Sequence, residues 1–165
     1  MDMVGWKGRR GSSFEECVPV RIMIADDNAI VRSTLRGLLE TRADWQVCGE
    51  ATTGPQAVEQ AAELKPDMII LDFAMPGRDG LQAARDIVSA FPDVPILLYT
   101  ACAFSPEAKL EARKCGVRDV INKGASPEQL IGAIESLLPP KAPSAAEAGQ
   151  PASLPVVPES DPQPN

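Results

Sequence analysis

The chain has 165 residues, enough for one domain of ordinary size with further chain to spare, and carries a formal net charge of −7. This acidity argues against a nucleic-acid-binding surface, which needs clustered lysine and arginine. There is no histidine and the four cysteines form no CxxC pair, so no zinc site is predicted; we interpret the cysteines as reduced thiols, three of them on the core or a helix face.

The two ends of the chain differ in composition from its middle. Residues 1–19 combine glycine, serine and basic residues with no apolar segment behind them, which predicts a disordered extension and no signal peptide. Eight of the last 27 residues are proline, which predicts a disordered tail over residues 139–165. No segment reaches the roughly 18 apolar residues of a membrane span. We therefore expect a soluble cytoplasmic protein with one ordered domain at residues 20–138.

Between these ends, apolar patterns predict five strands that alternate with five helices. The strands are short apolar or alternating runs, and the helices carry apolar residues three and four positions apart. The predicted strands cover residues 20–25, 45–51, 68–71, 96–99 and 117–122. The predicted inward faces of the helices are Val31, Leu35, Leu38 and Leu39; Val58, Ala61 and Ala62; Leu81, Ala84, Val88 and Phe91; Ala108, Ala112 and Cys115; and Leu130, Ala133, Ile134, Leu137 and Leu138.

This alternation defines the fold class. Strand–helix–strand units need crossover connections, which make the paired strands parallel. Helices on both faces of the sheet explain why a strand such as residues 68–71 is apolar throughout. We therefore predict a three-layer α/β sandwich with a parallel sheet in the strand order 2-1-3-4-5.

Polar side chains follow four of the five predicted strands at the point where each strand ends. Asp26 and Asp27 follow the first strand, Asp72 the third, Thr100 the fourth and Lys123 the fifth. The carboxyl ends of parallel strands share one edge of the sheet, so we expect these side chains to converge. Adjacent carboxylates disfavour one another's ionisation, and a hard divalent cation relieves that repulsion. The set predicts a site for Mg²⁺ or Mn²⁺, although each residue alone could simply end a strand.

Such a site suits phosphoryl transfer. The cation would leave coordination positions for phosphoryl oxygens, with Asp72 placed as a nucleophile towards phosphorus. Lys123 supplies a mobile positive charge and Thr100 a short hydroxyl donor for the same oxygens. Positioning and charge neutralisation are the main requirements of this chemistry, and the set provides both.

Five motifs, in order along the chain, resemble the receiver domain of bacterial two-component response regulators. They are RIMIADD at residues 21–27, GEA at 49–51, LDFAMPGRDG at 71–80, YTA at 99–101 and KGASPE at 123–128. The first helix, the GEA segment and the start of the last helix are most similar to the NarL/FixJ subfamily. The resemblance covers about residues 20–138 and implies the flavodoxin-like, CheY-like (βα)5 fold, for which the 2-1-3-4-5 order is the standard arrangement.

The resemblance also implies roles for the acidic residues. Asp72 would be the phosphoacceptor, taking its phosphoryl group from a phosphohistidine of a sensor histidine kinase or of a histidine phosphotransfer protein. Mg²⁺ would be ligated by Asp27 directly, by Asp26 mostly through water, by Asp72, and by the backbone carbonyl of Ala74.

A second set of residues would respond to the phosphoryl group. Thr100, with Ala101 beside it, would swing towards that group, and Lys123 would pair with it. The family usually has an aromatic residue three positions before the lysine, and its rotation reports phosphorylation to the output face. Val120 stands there in this chain and cannot make that rotation, so we expect backbone shifts around the fourth helix, fifth strand and fifth helix to carry the change.

The expected output is contact with a downstream protein. NarL/FixJ proteins normally continue into a basic helix-turn-helix domain, whereas this chain continues into the proline-rich tail, so direct DNA binding is not expected. Two alternatives share part of the pattern. A haloacid-dehalogenase-type phosphatase places a second acid two residues after the nucleophile, where this chain has Ala74. A phosphorylation-independent scaffold usually has a broken acidic pocket, and here the pocket is whole. We therefore predict a phosphoacceptor, not an enzyme apart from possible autophosphorylation and autodephosphorylation.

Overall fold

The computed structural model describes residues 18–77 and 79–138, in which five strands alternate with five helices. The strands are β1 (Val20–Ala25), β2 (Trp45–Ala51), β3 (Met68–Leu71), β4 (Ile96–Thr100) and β5 (Val117–Asn122). The helices are α1 (Ala29–Leu39), α2 (Gly54–Leu64), α3 (Gly80–Ala90), α4 (Pro106–Lys114) and α5 (Pro127–Leu137). The two segments predicted to be disordered lie outside the described residues, apart from Val18 and Pro19. None of the described helices is long and apolar enough to cross a bilayer.

The five strands form one parallel sheet in the order β2-β1-β3-β4-β5. The chain moves outwards in one direction from β1 to β2 and in the other from β3 to β5. Open α/β sheets form a crevice at the carboxyl ends of the strands where this reversal occurs. The predicted three-layer α/β sandwich and its strand order are confirmed.

Apolar side chains pack on both faces of the sheet. Along β3, which is buried over its whole length, Ile69 and Leu71 join one core while Met68 and Ile70 join the other, because successive side chains of a strand point to opposite faces. The first core is covered by α2, α3 and α4 and the second by α1 and α5. Burial of each such side chain contributes about 1.5–3 kcal/mol, so these two cores hold the strand ends in place.

The predicted inward faces hold for α1 and α5 and need correction in α2 and α3. In α2, Ala62 is exposed, and the buried pair is Ala57 and Ala61, which lie four residues apart on one face. In α3, Ala83 and Ile87 are buried although the predicted stripe omits them. Alanines lie at the centre of these faces, where the helix approaches the sheet closely. A stripe chosen from the larger apolar residues therefore lies about one position away from the face that is buried.

The cysteines are only partly where they were predicted. Cys115 is buried and Cys48 half-buried, whereas Cys102 is exposed in the loop after β4, beyond the point where the sheet ends. Cys17 lies outside the described residues. The three described cysteines are free thiols.

Trp45 closes the amino-terminal edge of the sheet. It begins β2 and is 6% exposed, as part of the second core. The guanidinium of Arg42 lies 5.0 Å from the centroid of its ring and pairs with Glu135 of α5. These contacts tie α5 to the start of β2, on the edge opposite to the carboxyl ends of the strands.

Ion pairs join α1 to β2. Glu50 of β2 accepts hydrogen bonds from Arg32 Nε at 2.9 Å and from Arg36 Nε at 2.8 Å. Burial raises the pKa of the Glu50 carboxyl, but the hydrogen bonds from Arg36 and Arg32 outweigh burial and lower that pKa below its usual value. The carboxylate is therefore held in its charged form between two guanidinium groups.

Each helix begins with a side-chain cap. The capping oxygen accepts a hydrogen bond from a backbone N–H of the first turn, which has no partner within the helix. The caps are Asn28, Thr53, Asp79, Ser105 and Ser126. They fix where each helix starts after the preceding strand.

Substitution of two glycines by alanine should have opposite effects on stability. Gly116 follows α4 with φ of +90°, and a Cβ there would lie 2.5 Å from Val88 Cγ2, so Gly116→Ala should lower the free energy of unfolding by about 1–3 kcal/mol. Gly132 in α5 has nothing within 4 Å of an added Cβ, so Gly132→Ala should raise it by about 0.5–1 kcal/mol. Urea unfolding followed by circular dichroism measures both, and a Gly116→Ala variant as stable as the wild type would contradict this conformation.

Removal of the Glu50 carboxylate should destabilise the fold in a pH-dependent way. A carboxyl with a lowered folded-state pKa stabilises the fold above its unfolded pKa of about 4.3, and the contribution is lost as pH falls through the folded-state value. Glu50→Gln should therefore lower the free energy of unfolding at pH 7 by about 1–2 kcal/mol, with the difference shrinking between about pH 5 and pH 3. Glu40→Gln, which breaks only an exposed pair with Arg36, is the control and should cost less than about 0.5 kcal/mol. A difference for Glu50→Gln that stays constant over this range would exclude the ionised carboxylate as its cause.

Candidate functional site

The carboxyl ends of β1, β3, β4 and β5 bring the predicted polar residues to one edge of the sheet. Asp26 and Asp27 follow β1, Asp72 follows β3, Thr100 ends β4 and Lys123 follows β5. Oxygen atoms from the three carboxylates lie within 4.8 Å of one another. Asp26 and Asp72 are buried and Asp27 is exposed. We call these three aspartates the acidic cluster.

The Lys123 ammonium contacts two members of the acidic cluster. Its Nζ lies 2.6 Å from Asp26 Oδ2 and 3.2 Å from Asp72 Oδ2. Burial lowers the pKa of Lys123, but the interactions with Asp26 and Asp72 outweigh it and raise that pKa above its usual value. The ammonium therefore stays charged and offsets part of the negative charge of the cluster.

The surroundings of Asp72 combine burial with charges of both signs. Burial raises the pKa of its carboxyl above the usual value, because removal from water disfavours the charged form. The ammonium of Lys123 and the backbone N–H of Ala74 lower that pKa, and the carboxylate of Asp26 raises it. A buried carboxylate beside like charges is stabilised by a nearby cation, so this position favours both Lys123 and a metal ion.

Asp26 has an oxygen with unused acceptor capacity. Its Oδ1 accepts a hydrogen bond from the backbone N–H of Asn28 at 2.8 Å. Its Oδ2 is buried and, within the described part of the chain, is contacted only by the Lys123 ammonium. An oxygen of this kind, next to the carboxylates of Asp27 and Asp72, fits a hard cation that prefers oxygen ligands, such as Mg²⁺ or Mn²⁺.

Thr100 lies at the carboxyl edge between the strands that carry Asp72 and Lys123. Its side chain is buried, and its hydroxyl oxygen accepts a hydrogen bond from the backbone N–H of Cys102 at 3.1 Å. Its carbonyl accepts a hydrogen bond from the N–H of Lys123 at 2.8 Å, which joins the end of β4 to the residue after β5. Ala101 follows it and is exposed. The hydroxyl can still donate one hydrogen bond, since the contact with Cys102 uses it as an acceptor.

The loop after Asp72 contains a close approach between two backbone segments that the motifs alone do not indicate. The N–H of Gly80 donates to the carbonyl of Phe73 at 2.7 Å, and a Cβ at Gly80 would lie 2.3 Å from the carbonyl oxygen of Asp72. The first residue of α3 therefore packs directly on the backbone of Asp72. The sequence contains a signal for this contact, because a glycine directly follows the helix cap Asp79.

Val120, the predicted output residue, stands three positions before Lys123 in the sequence. It lies in β5, is half-buried and packs against the core that α2, α3 and α4 cover.

Two phenylalanines from the loops after β3 and β4 contact each other close to the site. The rings of Phe73, which directly follows Asp72, and Phe104 have centroids 5.4 Å apart and an angle of 89° between their planes. This edge-to-face pair connects the loop after Asp72 with the loop before α4.

Comparisons with known proteins agree with this geometry. The family model for the response regulator receiver domain matches residues 22–135. The uncharacterized transcriptional regulatory protein YhcZ of Bacillus subtilis is 37% identical over 112 residues, which are 68% of this chain and 52% of that protein. The chemotaxis protein CheY of Thermotoga maritima is 35% identical over 117 residues, which are 71% of this chain and 96% of that protein. The chain thus spans about half of the first relative and nearly all of the second.

A solved structure gives the same result. The two-component response regulator of the LuxR family from Aurantimonas sp. SI85-9A1 superposes with a TM-score of 0.68 at 34% identity, over 72% of this chain and 84% of that one. The family model covers most of the described residues, and the similarity to the chemotaxis protein CheY extends over nearly the whole length of that protein. Together they show that this chain belongs to the family of response regulator receiver domains.

Proposed function

We propose that this chain, with residues 20–138 as its receiver domain, accepts a phosphoryl group on Asp72 and transmits that event to a partner protein. The observation that carries the proposal is the convergence of three carboxylates within 4.8 Å, with the Lys123 ammonium in contact with Asp26 and Asp72. This set has a nucleophile, counter-charges and an oxygen-only metal site at one edge of the sheet. It acts as a phosphoacceptor and not as an enzyme that turns over a substrate.

The proposed metal ligands combine the three carboxylates of this geometry with the backbone carbonyl of Ala74, which only the family resemblance supplies. Asp26, Asp27, Asp72 and the backbone carbonyl of Ala74 would hold Mg²⁺, or Mn²⁺ in its place. When bound, the ion would offset the negative charge that collects on the carboxylates and the phosphoryl oxygens. The buried Asp26 Oδ2, which is contacted only by Lys123 among the described residues, supports this assignment.

Phosphoryl transfer would take place at one carboxylate oxygen of Asp72. That oxygen forms a bond to phosphorus while the bond from phosphorus to the donor breaks, and the electron pair leaves with the donor imidazole or, for acetyl phosphate, with acetate. The 165 residues contain no histidine, so a donor imidazole lies outside them. The product is an acyl phosphate on Asp72, and its negative charge is the new feature that a partner can detect.

Two side chains are placed to contact the phosphoryl oxygens. The ammonium of Lys123 already lies 3.2 Å from Asp72 Oδ2 and can pair with a phosphoryl oxygen bonded to that carboxylate. The Thr100 hydroxyl retains a proton to donate, because its contact with the Cys102 N–H uses only its acceptor capacity. Movement of Thr100 would alter the loop after β4, with Ala101 as its first residue.

We propose protein partners at both ends of this pathway. The donor is a sensor histidine kinase or a histidine phosphotransfer protein, and the acceptor of the signal is a downstream protein, all acting in the cytoplasm. With Val120 in place of the aromatic residue common in the family, the change would reach the α4–β5–α5 face through the backbone. The net charge of −7 opposes direct binding of DNA by these residues.

Acetyl phosphate with Mg²⁺ should add one phosphoryl group to the protein. Asp72→Asn should abolish the addition, because an amide cannot form the acyl phosphate, whereas Asp93→Asn in the exposed loop before β4 should leave it intact. Intact-mass spectrometry measures the uptake. Equal uptake by Asp72→Asn and the wild type would move the acceptor to another residue.

Removal of Mg²⁺ should stop this reaction without unfolding the protein. The loss of several kcal/mol of charge stabilisation corresponds to a fall of at least about 100-fold in the rate of phosphoryl uptake when EDTA replaces Mg²⁺. Asp27→Asn should show the same loss at low Mg²⁺, because the exposed carboxylate of Asp27 is part of the metal site. Time-resolved mass spectrometry, with circular dichroism to check folding, decides the point. An undiminished rate in EDTA would rule out a metal-dependent reaction.

A further inference from the structure

Two arginines of α1, one turn apart, bind the same carboxylate but differ in what else they reach. Arg32 and Arg36 both donate to Glu50. Arg32 in addition donates from Nη1 to the backbone carbonyl of Asp26 at 2.8 Å. The second contact of Arg36 is instead an exposed pair with Glu40. The Arg32 side chain is 15% exposed and that of Arg36 is 40% exposed.

The carbonyl that Arg32 contacts belongs to the peptide unit between Asp26 and Asp27. A peptide unit is planar, so a hydrogen bond that fixes its carbonyl also fixes the direction in which Asp27 leaves it. The other polar groups of Asp26 are held by the sheet and the helix cap. Its N–H donates to the carbonyl of Ala51 at 3.0 Å, and its Oδ1 accepts from the N–H of Asn28 at 2.8 Å.

The carboxylate of Asp27 depends on a fixed backbone more than the carboxylates of Asp26 and Asp72 do. Asp26 and Asp72 are buried, and Lys123 contacts both carboxylates. Asp27 is exposed, so its carboxylate depends on the backbone for its position. Among the described residues, Arg32 provides the one side-chain donor to the backbone of the Asp26–Asp27 pair.

We propose that Arg32 is a positioning residue for the metal-binding carboxylates. Glu50 orients the planar guanidinium, whose fixed array of donors reaches the carboxylate with Nε and the Asp26 carbonyl with Nη1. This orientation holds the peptide between Asp26 and Asp27, and so holds the Asp27 carboxylate beside the other two. The inference rests on the proposed function, because it concerns affinity for the same Mg²⁺ ion.

A positioning role and a purely electrostatic role of Arg32 predict opposite changes in Mg²⁺ affinity when Arg32 is replaced. A guanidinium near a cation site repels the cation, so removal of its charge alone would tighten Mg²⁺ binding. Removal of a positioning hydrogen bond would weaken it, because the free carboxylates would have to be reordered when the ion binds. The direction of the change in affinity therefore distinguishes the two roles.

The test compares Arg32→Gln with Arg36→Gln, which leaves the contact between Arg32 and Asp26 in place. Mg²⁺ titration, followed by the amide NMR signals of Asp27 and Thr100, gives the dissociation constant. Arg32→Gln should weaken Mg²⁺ binding about tenfold, at the lower end of the range for groups that orient metal ligands. Arg36→Gln should stay within about twofold of the wild type, because Glu50 keeps its hydrogen bond with Arg32 and the other partner of Arg36 is the exposed Glu40. Arg32→Lys, which keeps the charge but has no fork to span Glu50 and the Asp26 carbonyl, should also weaken binding.

The outcomes separate this proposal from the function on which it rests. Unchanged or tighter binding in Arg32→Gln would overturn the positioning role, as would equal weakening in Arg32→Gln and Arg36→Gln, which would indicate a general loosening of α1. Urea unfolding in EDTA shows whether each variant is folded, and Arg32→Lys decides the question if Arg32→Gln does not fold. A wild-type protein that binds no Mg²⁺ overturns the proposed function and this inference together. Wild-type binding with an unaffected Arg32→Gln overturns this inference alone.

Discussion

The site depends on the contact of one ammonium with two buried carboxylates. Lys123 follows an edge strand, whereas Asp26 and Asp72 follow β1 and β3 in the interior of the sheet. The lysine side chain therefore has to extend across the end of β4 to reach them. Only a long side chain covers that distance, and only a charged one makes two adjacent buried carboxylates tolerable. The length and the charge of Lys123 both follow from the strand order.

The sheet supplies the rigidity that this contact requires. The polar residues lie at or just after the ends of strands whose side chains pack into the two cores, so this packing fixes the backbone that carries them. Caps such as Asn28 and Asp79 fix the first residues of the helices at this edge, and Gly80 allows α3 to pack on the backbone of Asp72. The packed sheet therefore holds the three aspartates close together although their negative charges repel one another.

The sequence was sufficient to predict the features that depend on a repeated pattern or on residues adjacent in the chain. Alternation of strands and helices predicts the parallel sheet, and the parallel sheet places Asp26, Asp72, Thr100 and Lys123 at one edge. The positions of small residues were harder to predict. Ala62 is exposed and Ala57 is buried. Alanine favours a helix on any of its faces, so its position does not mark the buried one.

The contacts that could not be predicted join residues far apart in the sequence. The hydrogen bond between Arg32 and Glu50 joins residues 18 positions apart, and no periodic pattern identifies which of several arginines turns towards the sheet. The contact of Gly80 with the Asp72 backbone depends on how closely α3 approaches β3, which is set by the packing of the whole layer. Tertiary structure determines such contacts, so a motif can contain the residue, as residues 71–80 contain Gly80, without showing which backbone it contacts.

The burial of Trp45 at the amino-terminal edge has a consequence for spectroscopy. Its indole is 6% exposed, lies beneath Arg42 and belongs to the core that α1 and α5 cover, whereas the acidic cluster lies at the carboxyl edge of the sheet. Emission from Trp45 is therefore sensitive to the integrity of that core and shielded from events among the aspartates. Trp45 emission is thus a reporter of folding, and the occupancy of the acidic cluster has to be read with probes placed at the other edge.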